Sequence, residues 1–399
     1  MYQPEKKILK KYAKLLVNFA LNDYKGINKG DTVLLQVPEC AKPLLVELRN
    51  QVLETGGHPI IQYIPDFMAR DFYEIATDKQ LTYFPEKYLK GKIDQIDHSI
   101  AIIAEADKHE LKGIPGDKIM KRGKAMKPYM EWREEKENKG QYTWTLAMYA
   151  TPAMAAEAGL SLKDYWNEII QACYLDYEDP VAEWKKTTTE IERVKKELNN
   201  LPIETLHLKA KDTDLVIGIG ENREWMGGSG RNIPSYEVFI SPNKYLTEGH
   251  IRFSEPLYRY GQMIKDIYLE FKEGKVVKSS ASEGEETLKE MIKTEGADMI
   301  GEYSLTDSRL SKITKFMAET LFDENKGGKY GNTHLALGNA YKDSYPGDPS
   351  SVAKEEWKKM GYNESSVHTD IISTTDRTVT ATLKSGEQKI IYKDGKFTV

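Results

Sequence analysis

Strand and helix signals alternate along the first half of the chain, and this alternation constrains the fold more than any other feature. Residues 31–37 form an apolar run typical of a buried strand, residues 41–55 show helical spacing that ends at Gly56-Gly57, and residues 58–64 form a second apolar run. Residues 100–104 have the composition of a parallel strand that is buried on both faces. The repeated strand–helix–strand order predicts an open α/β sheet.

The pattern changes near residue 202, after a charged helix predicted over residues 185–198. Beyond it, short apolar runs separated by turns, such as Glu273-Gly274, predict a mixed α+β arrangement of strands and helices. A chain of 399 residues is too long for one ordinary core. We therefore predict two domains, an α/β domain over residues 1–202 and a mixed α+β domain over residues 203–399.

One further helix is predicted between Thr306 and Phe322. Its apolar residues recur at helical spacing, at Leu310, Ile313, Met317 and Leu321.

Composition excludes several classes of protein. The net charge of −5 and a pI near 6.0 predict no nucleic-acid partner. Only Cys40 and Cys173 are present, so neither a disulfide framework nor a thiolate metal cluster is expected. The lysine-rich N-terminus has the spacing of an amphipathic helix rather than of a signal peptide, and no run approaches the ~18 apolar residues of a membrane span. These features predict a cytoplasmic protein without a membrane partner.

The residues best suited to chemistry lie near the C-terminus. His368 and Asp370 open an apolar stretch that predicts a strand, and their spacing of two residues places both side chains on one face. An imidazole beside a carboxylate on a rigid strand supplies about half of the ligands of a typical metal site. His334 stands in a second apolar run and is followed seven residues later by Tyr341. A hydrogen-bonded histidine near the core is the alternative for both histidines.

Two glutamates, Glu237 and Glu302, interrupt apolar surroundings. A lone glutamate after a turn is usually a solvated loop residue, although a buried one needs a partner. No His-Glu-x-x-His helix is present, which excludes the common zinc protease motif, and the glycine-rich loop before His334 lacks the Gly-Lys-Ser/Thr of a phosphate-binding loop.

Taken in chain order, these segments resemble the aminopeptidase T family of metallopeptidases, the group that also contains aminopeptidase S. The resemblance extends to Tyr149-Ala-Thr-Pro-Ala-Met-Ala in the first half, so it spans nearly the whole chain. The motifs that carry it are Asn-Ile-Pro-Ser-Tyr-Glu237-Val-Phe, Gly-Glu302, Leu-Phe-Asp-Glu324-Asn, Gly-Asn-Thr-His334-Leu-Ala-Leu-Gly and Val-His368-Thr-Asp370.

The resemblance implies a metalloaminopeptidase, an exopeptidase that releases N-terminal amino acids from peptides through a water activated by two metals. It implies two divalent metal ions per chain in a C-terminal catalytic domain, peptide substrates with a free N-terminus, and assembly as a homodimer. The N-terminal domain would then serve dimerisation or wall the active-site opening. The implied metal ligands are Glu237, Glu302, His334, His368 and Asp370, while Glu324 and Tyr341 match further active-site positions.

The chemistry of this set agrees with that expectation. Three carboxylates and two neutral imidazoles offset three of the four positive charges of two divalent ions, and mixed oxygen and nitrogen ligation admits Zn²⁺, Co²⁺ or Mn²⁺. Whether Glu324 ligates metal or handles protons stays open. Tyr341 either stabilises charge on the substrate carbonyl or packs under the loop over residues 342–349.

Two other functions fit the same residues. A two-metal phosphoesterase uses similar Asp, Glu and His clusters, but only Lys326 and Lys329 lie near His334 in sequence as a phosphate clamp. A non-catalytic metal-binding protein is the other alternative, although structural zinc sites are usually built from Cys and His.

Overall fold

The computed structural model describes residues 2–259 and 261–399, which divide into two compact units. The first contains residues 2–183 and 229–233, and the second contains residues 184–228 and 234–399. The sequence predicts a boundary near residue 202, after the helix Pro180–Asn199. In the structure the boundary instead lies within the first turn of this helix, between residues 183 and 184. The reason is packing, because Ile191, Val194 and Leu198 of this helix belong to the core of the second unit.

The first unit is built around a four-stranded parallel sheet with the strand order β2-β1-β3-β4. It confirms the predicted α/β domain. Its strands are β1 (Thr32–Pro38), β2 (His58–Ile64), β3 (His98–Ile103) and β4 (Thr143–Met148), and its helices are α1 (Lys6–Leu15), α2 (Lys42–Thr55), α3 (Ala69–Ile75), α4 (Asp78–Leu81), α5 (Glu86–Gln95), α6 (Gly116–Ala125), α7 (Lys127–Asn138), α8 (Pro152–Glu157) and α9 (Leu162–Ala172).

Residues 229–233 join this unit because they bond to the backbone of β4. The N–H of Leu146 donates to the carbonyl of Arg231 at 2.7 Å, and the N–H of Ile233 donates to the carbonyl of Leu146 at 2.9 Å. Arg231 also forms an ion pair with Glu137 at 2.8 Å. This short stretch thus extends the parallel sheet, four residues before Glu237.

The second unit contains an eight-stranded sheet of order β13-β12-β9-β6-β5-β17-β18-β19, a five-stranded sheet of order β16-β15-β14-β8-β7, and the hairpin β10–β11. The described residues include no helix with the length and apolar composition needed to cross a membrane. The strands are β5 (Ile203–Ala210), β6 (Thr213–Gly218), β7 (Met226–Gly227), β8 (Glu237–Ile240), β9 (Thr247–Arg252), β10 (Leu257–Arg259), β11 (Gln262–Ile264), β12 (Tyr268–Lys272), β13 (Lys275–Ser280), β14 (Ile300–Thr306), β15 (Asn332–Gly338), β16 (His368–Ser373), β17 (Arg377–Leu383), β18 (Gln388–Lys393) and β19 (Lys396–Phe397), and the helices are α10 (Pro180–Asn199), α11 (Glu285–Ile292), α12 (Thr320–Asp323) and α13 (Lys354–Lys359).

Both large sheets of the second unit contribute to one apolar core. Leu206 and Leu215 of the eight-stranded sheet belong to the same buried cluster as Tyr303, Leu305 and Leu335 of the five-stranded sheet. Every residue of β14 and β15 is buried, so their other face is also covered, although it carries polar side chains. A polar face without solvent is the setting in which titratable groups must find partners.

The helix predicted between Thr306 and Phe322 is wrong. Strand β14 extends to Thr306, and only the single turn of α12 is helical in this stretch. The carboxylate of Asp307 accepts the N–H groups of Arg309 at 2.9 Å and Phe397 at 3.0 Å, so side-chain bonds replace helical ones. The segment is irregular, but it still buries Ile313, Met317 and Leu321. Their helical spacing therefore reflects burial and not a helix.

Candidate active site

The five predicted ligands lie on four neighbouring antiparallel strands of the five-stranded sheet. Glu302 of β14 and Asp370 of β16 are both opposite Ala336 of β15, whose small side chain leaves space between the two carboxylates. His334 lies two residues from Ala336 and therefore shares its face. The full set is Glu237 on β8, Glu302 on β14, His334 on β15, and His368 and Asp370 on β16.

His368 lies opposite Gly338 at the end of β15. Gly338 has a φ of 110°, and a Cβ at this position would be 2.1 Å from the carbonyl oxygen of Val367. Only glycine accepts that conformation and that close approach. Gly338 thus allows β15 to turn away next to His368.

The imidazole of His334 faces three carboxylates. Its Nε2 is 3.1 Å from Oε1 of Glu302, 3.3 Å from Oε2 of Glu237 and 3.9 Å from Oδ1 of Asp370. The possible ligand atoms of Glu237, Glu302 and His334 all lie within 4.8 Å of one another. This separation suits three donors around one ion.

The imidazole of His368 shares two of these carboxylates. Its Nε2 is 3.1 Å from Oδ1 of Asp370 and 3.6 Å from Oε2 of Glu302. One oxygen of Glu302 therefore faces His334 while the other faces His368. A carboxylate between two imidazoles has the geometry of a bridge between two adjacent centres.

Backbone carbonyls orient both imidazoles. Nδ1 of His334 is 3.1 Å from the carbonyl oxygen of Glu324, and Nδ1 of His368 is 2.7 Å from that of Asn339. A proton on Nδ1 satisfies each carbonyl and leaves Nε2 as the nitrogen that can ligate. The tautomer that metal binding requires is thus favoured by the backbone.

The electrostatics of the acidic groups reflect burial and crowding. Burial raises the pKa of Glu302, the hydrogen bond from His334 opposes this rise, and the charge of Glu237 adds to it. Burial also raises the pKa of Glu324 well above its ordinary value, and the charges of Glu237 and Asp370 raise it further. Asp370 differs, because the charge and hydrogen bond of His368 outweigh its burial and hold its pKa at about 2.

The imidazoles show the reciprocal effect. Burial lowers the pKa of His334, but hydrogen bonds to Glu237 and Glu302 outweigh it and raise the pKa well above its ordinary value. Burial also opposes protonation of His368, yet Asp370 and Glu302 raise its pKa to about 9. The carboxylates therefore attract positive charge to this site, and in the absence of metal the protonated imidazoles provide it.

This donor set fits divalent metal ions. Four buried carboxylates, those of Glu237, Glu302, Glu324 and Asp370, surround two imidazoles. Ionisation of all four carboxyl groups would give more negative charge than two protonated imidazoles could balance, and buried charge requires compensation. Divalent cations would supply it, and the ligand nitrogens would give up their protons on binding.

The two further predicted residues lie beside this cluster. Glu324 follows α12 directly and is buried. The ring of Tyr341 lies 4.8 Å from that of His368. Tyr341 is 43% exposed, and partial desolvation together with the charges of Glu302 and Asp370 raises its pKa well above the ordinary value.

Sequence reasoning missed the polar residues that hold the carboxylates. The hydroxyl of Ser304 donates to Oε2 of Glu237 at 3.2 Å, and that of Ser235 donates to Oε1 at 3.4 Å. The side chain of Asn325 donates to Oε1 of Glu324 at 3.3 Å. Ser304 was open to prediction, since it lies two residues from Glu302 and shares its face on the strand.

Comparison with known proteins gives similarity over the whole chain. A family model described as thermophilic metalloprotease (M29) matches residues 5–397. Aminopeptidase T of Thermus thermophilus is 30% identical over 420 residues, which cover 99% of each chain. Aminopeptidase 2 of Geobacillus stearothermophilus is 28% identical, and the match covers 98% of each chain.

A solved structure described as wild-type AmpT from Thermus thermophilus is similar to the fold. The TM-score is 0.85 at 27% sequence identity, and the match covers 99% of this chain and 100% of that one.

Proposed function

Because the chain belongs to the M29 family of thermophilic metalloproteases, we propose that it is a metal-dependent aminopeptidase with two divalent ions per chain. This family membership confirms the resemblance inferred from the motifs. The observation that carries the two-ion proposal is the position of Glu302, whose two oxygens face different imidazoles. Substrates would be peptides with a free N-terminus, as the names of the relatives indicate for those proteins.

The ligands divide into two overlapping groups. Glu237, Glu302 and His334 would hold one ion, and Glu302, His368 and Asp370 would hold the other. Such ions, when bound, polarise a scissile carbonyl and acidify a water molecule. The donor set of carboxylates and imidazoles accepts Zn²⁺, Co²⁺ or Mn²⁺.

Glu324 is assigned to proton transfer. Its carboxyl is buried and has a raised pKa, so it can accept a proton from water and return it to the amine of the leaving peptide. Glu324→Gln should therefore lower kcat while two ions per chain remain bound. Loss of an ion from this variant would instead assign Glu324 as a ligand.

Tyr341 is assigned to stabilising the negative charge that develops on the substrate carbonyl oxygen. Its phenol is close to His368 and its hydroxyl is a hydrogen-bond donor. The N–H of Tyr341 donates to the hydroxyl of Ser241 at 2.9 Å, which fixes the backbone from which the side chain extends. A donor held in advance stabilises a transition state without further reorganisation.

The test of the proposed function compares three substrates with and without metal. Leucine anilide should be hydrolysed, its N-acetylated analogue should not, and chelation should abolish the reaction until metal is restored.

Hydrolysis of a phosphate ester instead would identify a phosphoesterase. The side chain of Lys326, one of the two lysines in the loop before His334, already pairs with Glu255 at 2.5 Å, which disfavours a phosphate clamp. Unfolding on chelation, with no hydrolysis at all, would indicate a non-catalytic metal site.

We further propose a homodimer that uses strand β2. This edge strand exposes Ile60, Ile61, Tyr63 and Ile64, so apolar groups are exposed on both of its faces. Parallel sheets are normally covered on both faces, and an apolar edge strand favours pairing with another chain. A second copy offers the same strand across a two-fold axis.

Light scattering tests this interface. Ile61→Lys should yield monomers, whereas Val277→Lys, on the exposed edge strand β13 of the other unit, should leave dimers intact. Equal masses for both variants would exclude β2 as the contact.

That the N-terminal domain also walls the active-site opening stays a prediction. The free thiols of Cys40 and Cys173 agree with a cytoplasmic location.

A further inference from the structure

We infer that Asn325 is a positioning residue for catalysis, which sets the carboxyl group of Glu324 and joins it to the segment that carries Glu237. This inference rests on the proposed function, in which Glu324 moves protons. Asn325 is the last residue of the motif Leu-Phe-Asp-Glu324-Asn.

The side chain of Asn325 is fully buried and bonded at both ends. Its Oδ1 accepts the N–H of Tyr236 at 2.6 Å. Its Nδ2 donates to Oε1 of Glu324 at 3.3 Å and to the carbonyl oxygen of Leu321 at 3.3 Å. One amide group thus connects the backbone before Glu237 with the carboxyl group of Glu324.

The two segments that Asn325 connects also meet at His334. Oε2 of Glu237 lies 3.3 Å from Nε2 of this histidine, and the carbonyl oxygen of Glu324 lies 3.1 Å from its Nδ1. The backbone of Glu324 is therefore fixed by the histidine, while its carboxyl group is fixed by Asn325. Without Asn325, rotation of the Glu324 side chain would lose a restraint that His334 does not supply.

Only an amide fulfils both requirements at this position. The N–H of Tyr236 needs an acceptor, whereas Oε1 of Glu324 and the carbonyl of Leu321 need donors. An aspartate would keep the acceptor but place a second carboxyl group against Glu324. A catalytic carboxyl must be held in a defined orientation, because small displacements of reacting groups are costly.

The experiment is a double-mutant cycle measured on metal-loaded, full-length protein. Asn325→Asp keeps the bond from Tyr236 and removes the donor to Glu324, while Asn325→Ala removes both. We expect each to lower kcat by roughly 10- to 100-fold with KM nearly unchanged, as for other partners that orient catalytic groups. In a Glu324→Gln background, the same Asn325 substitutions should lower kcat by less than about 3-fold, because residues that act as a unit are not additive.

A matched control separates positioning from stability. Asn199 is bonded in the same two-ended way, since its Oδ1 accepts the N–H of Trp225 at 2.7 Å and its Nδ2 donates to the carbonyl of Trp225 at 3.0 Å. Asn199→Ala should lower the melting temperature and leave kcat unchanged. Should Asn325→Asp fail to fold, the cycle is completed with Asn325→Ala and Asn325→Ser.

Two results would overturn the inference. One is an unchanged kcat in the folded Asn325 variants, and the other is a full multiplicative loss when they are combined with Glu324→Gln. Failure of the proposed function is distinguishable, because wild-type protein would then release no N-terminal residue in the presence of metal.

Discussion

Each unit of this protein buries a histidine against a carboxylate, but the two settings differ in their charge balance. In the first unit, Nε2 of His98 is 2.9 Å from Oδ2 of Asp31, and its Nδ1 is 2.8 Å from the hydroxyl of Thr143. In the second unit, His334 faces three carboxylates and His368 faces two. The contacts of His98 connect the ends of neighbouring strands. In the second unit, by contrast, the carboxyl groups outnumber the imidazoles that they contact.

The comparison shows what distinguishes a structural pair from a metal site. The carboxylate of Asp31 is hydrogen-bonded to the N–H of Asn28 and to the imidazole of His98. These hydrogen bonds outweigh the effect of burial and lower the pKa of Asp31. The pKa values of Glu302 and Glu324 are raised, because their burial is compounded by neighbouring negative charge. A histidine–carboxylate contact alone is therefore weak evidence for function, whereas an uncompensated buried excess of carboxylates is strong evidence.

The largest effect is expected for Glu302→Gln. This change preserves the size of the side chain but removes the charge shared by both imidazoles. We expect kcat/KM to fall by more than about 10³-fold, which exceeds the loss of a single oxyanion donor. The rate of leucine anilide hydrolysis at saturating metal measures it, and a fall of only a few-fold would mean that Glu302 does not bridge.

His368→Ala should abolish most activity and weaken the binding of at least one ion, because one ligand in a site with few donors contributes much of the affinity. The first unit should stay folded, as judged by an unchanged protease-resistant fragment. Near-normal turnover at low metal concentration would count against His368 as a ligand.

Tyr341→Phe removes only the hydroxyl and keeps the ring packed beside His368. We expect kcat to decrease by about 10²-fold, as for loss of one oxyanion donor, with metal content and melting temperature unchanged. An unaltered kcat would return Tyr341 to a packing role. Phe239→Leu is a control, since Phe239 is the other aromatic neighbour of Tyr341.

The smallest effect on activity is expected for Asp31→Asn. Loss of the carboxylate charge, which strengthens the bonds to His98 and Asn28, should reduce the free energy of unfolding by about 1–3 kcal/mol, with kcat unchanged. The folded pKa of Asp31 lies below its unfolded value, so this stabilisation is present above about pH 4 and is lost as the pH falls through the folded pKa. Urea denaturation of both proteins at pH 7 and at pH 3 measures the difference, which should shrink at the lower pH. A difference that grew in acid would contradict the sign of the shift.

The sequence predicted those features that depend on local pattern. Strands β1 to β3 and β16 follow from short apolar runs, and the shared face of His368 and Asp370 follows from a period of two. The helix over Thr306–Phe322 failed because the carboxylate of Asp307 bonds the backbone locally, which hydrophobic spacing does not reveal. Contacts between distant residues, such as His98 with Asp31 or Asn325 with Tyr236, depend on the tertiary fold and were missed.

The number of metal ions bound per chain tests the central claim most directly. Metal-free protein titrated with Zn²⁺, Co²⁺ or Mn²⁺ and then freed of excess metal should retain two ions per chain, with activity rising until both are bound. His98→Ala should also retain two, whereas Glu302→Gln should retain fewer. One ion per chain in fully active wild-type protein, or two in Glu302→Gln, would contradict a shared two-metal site on strands β8, β14, β15 and β16.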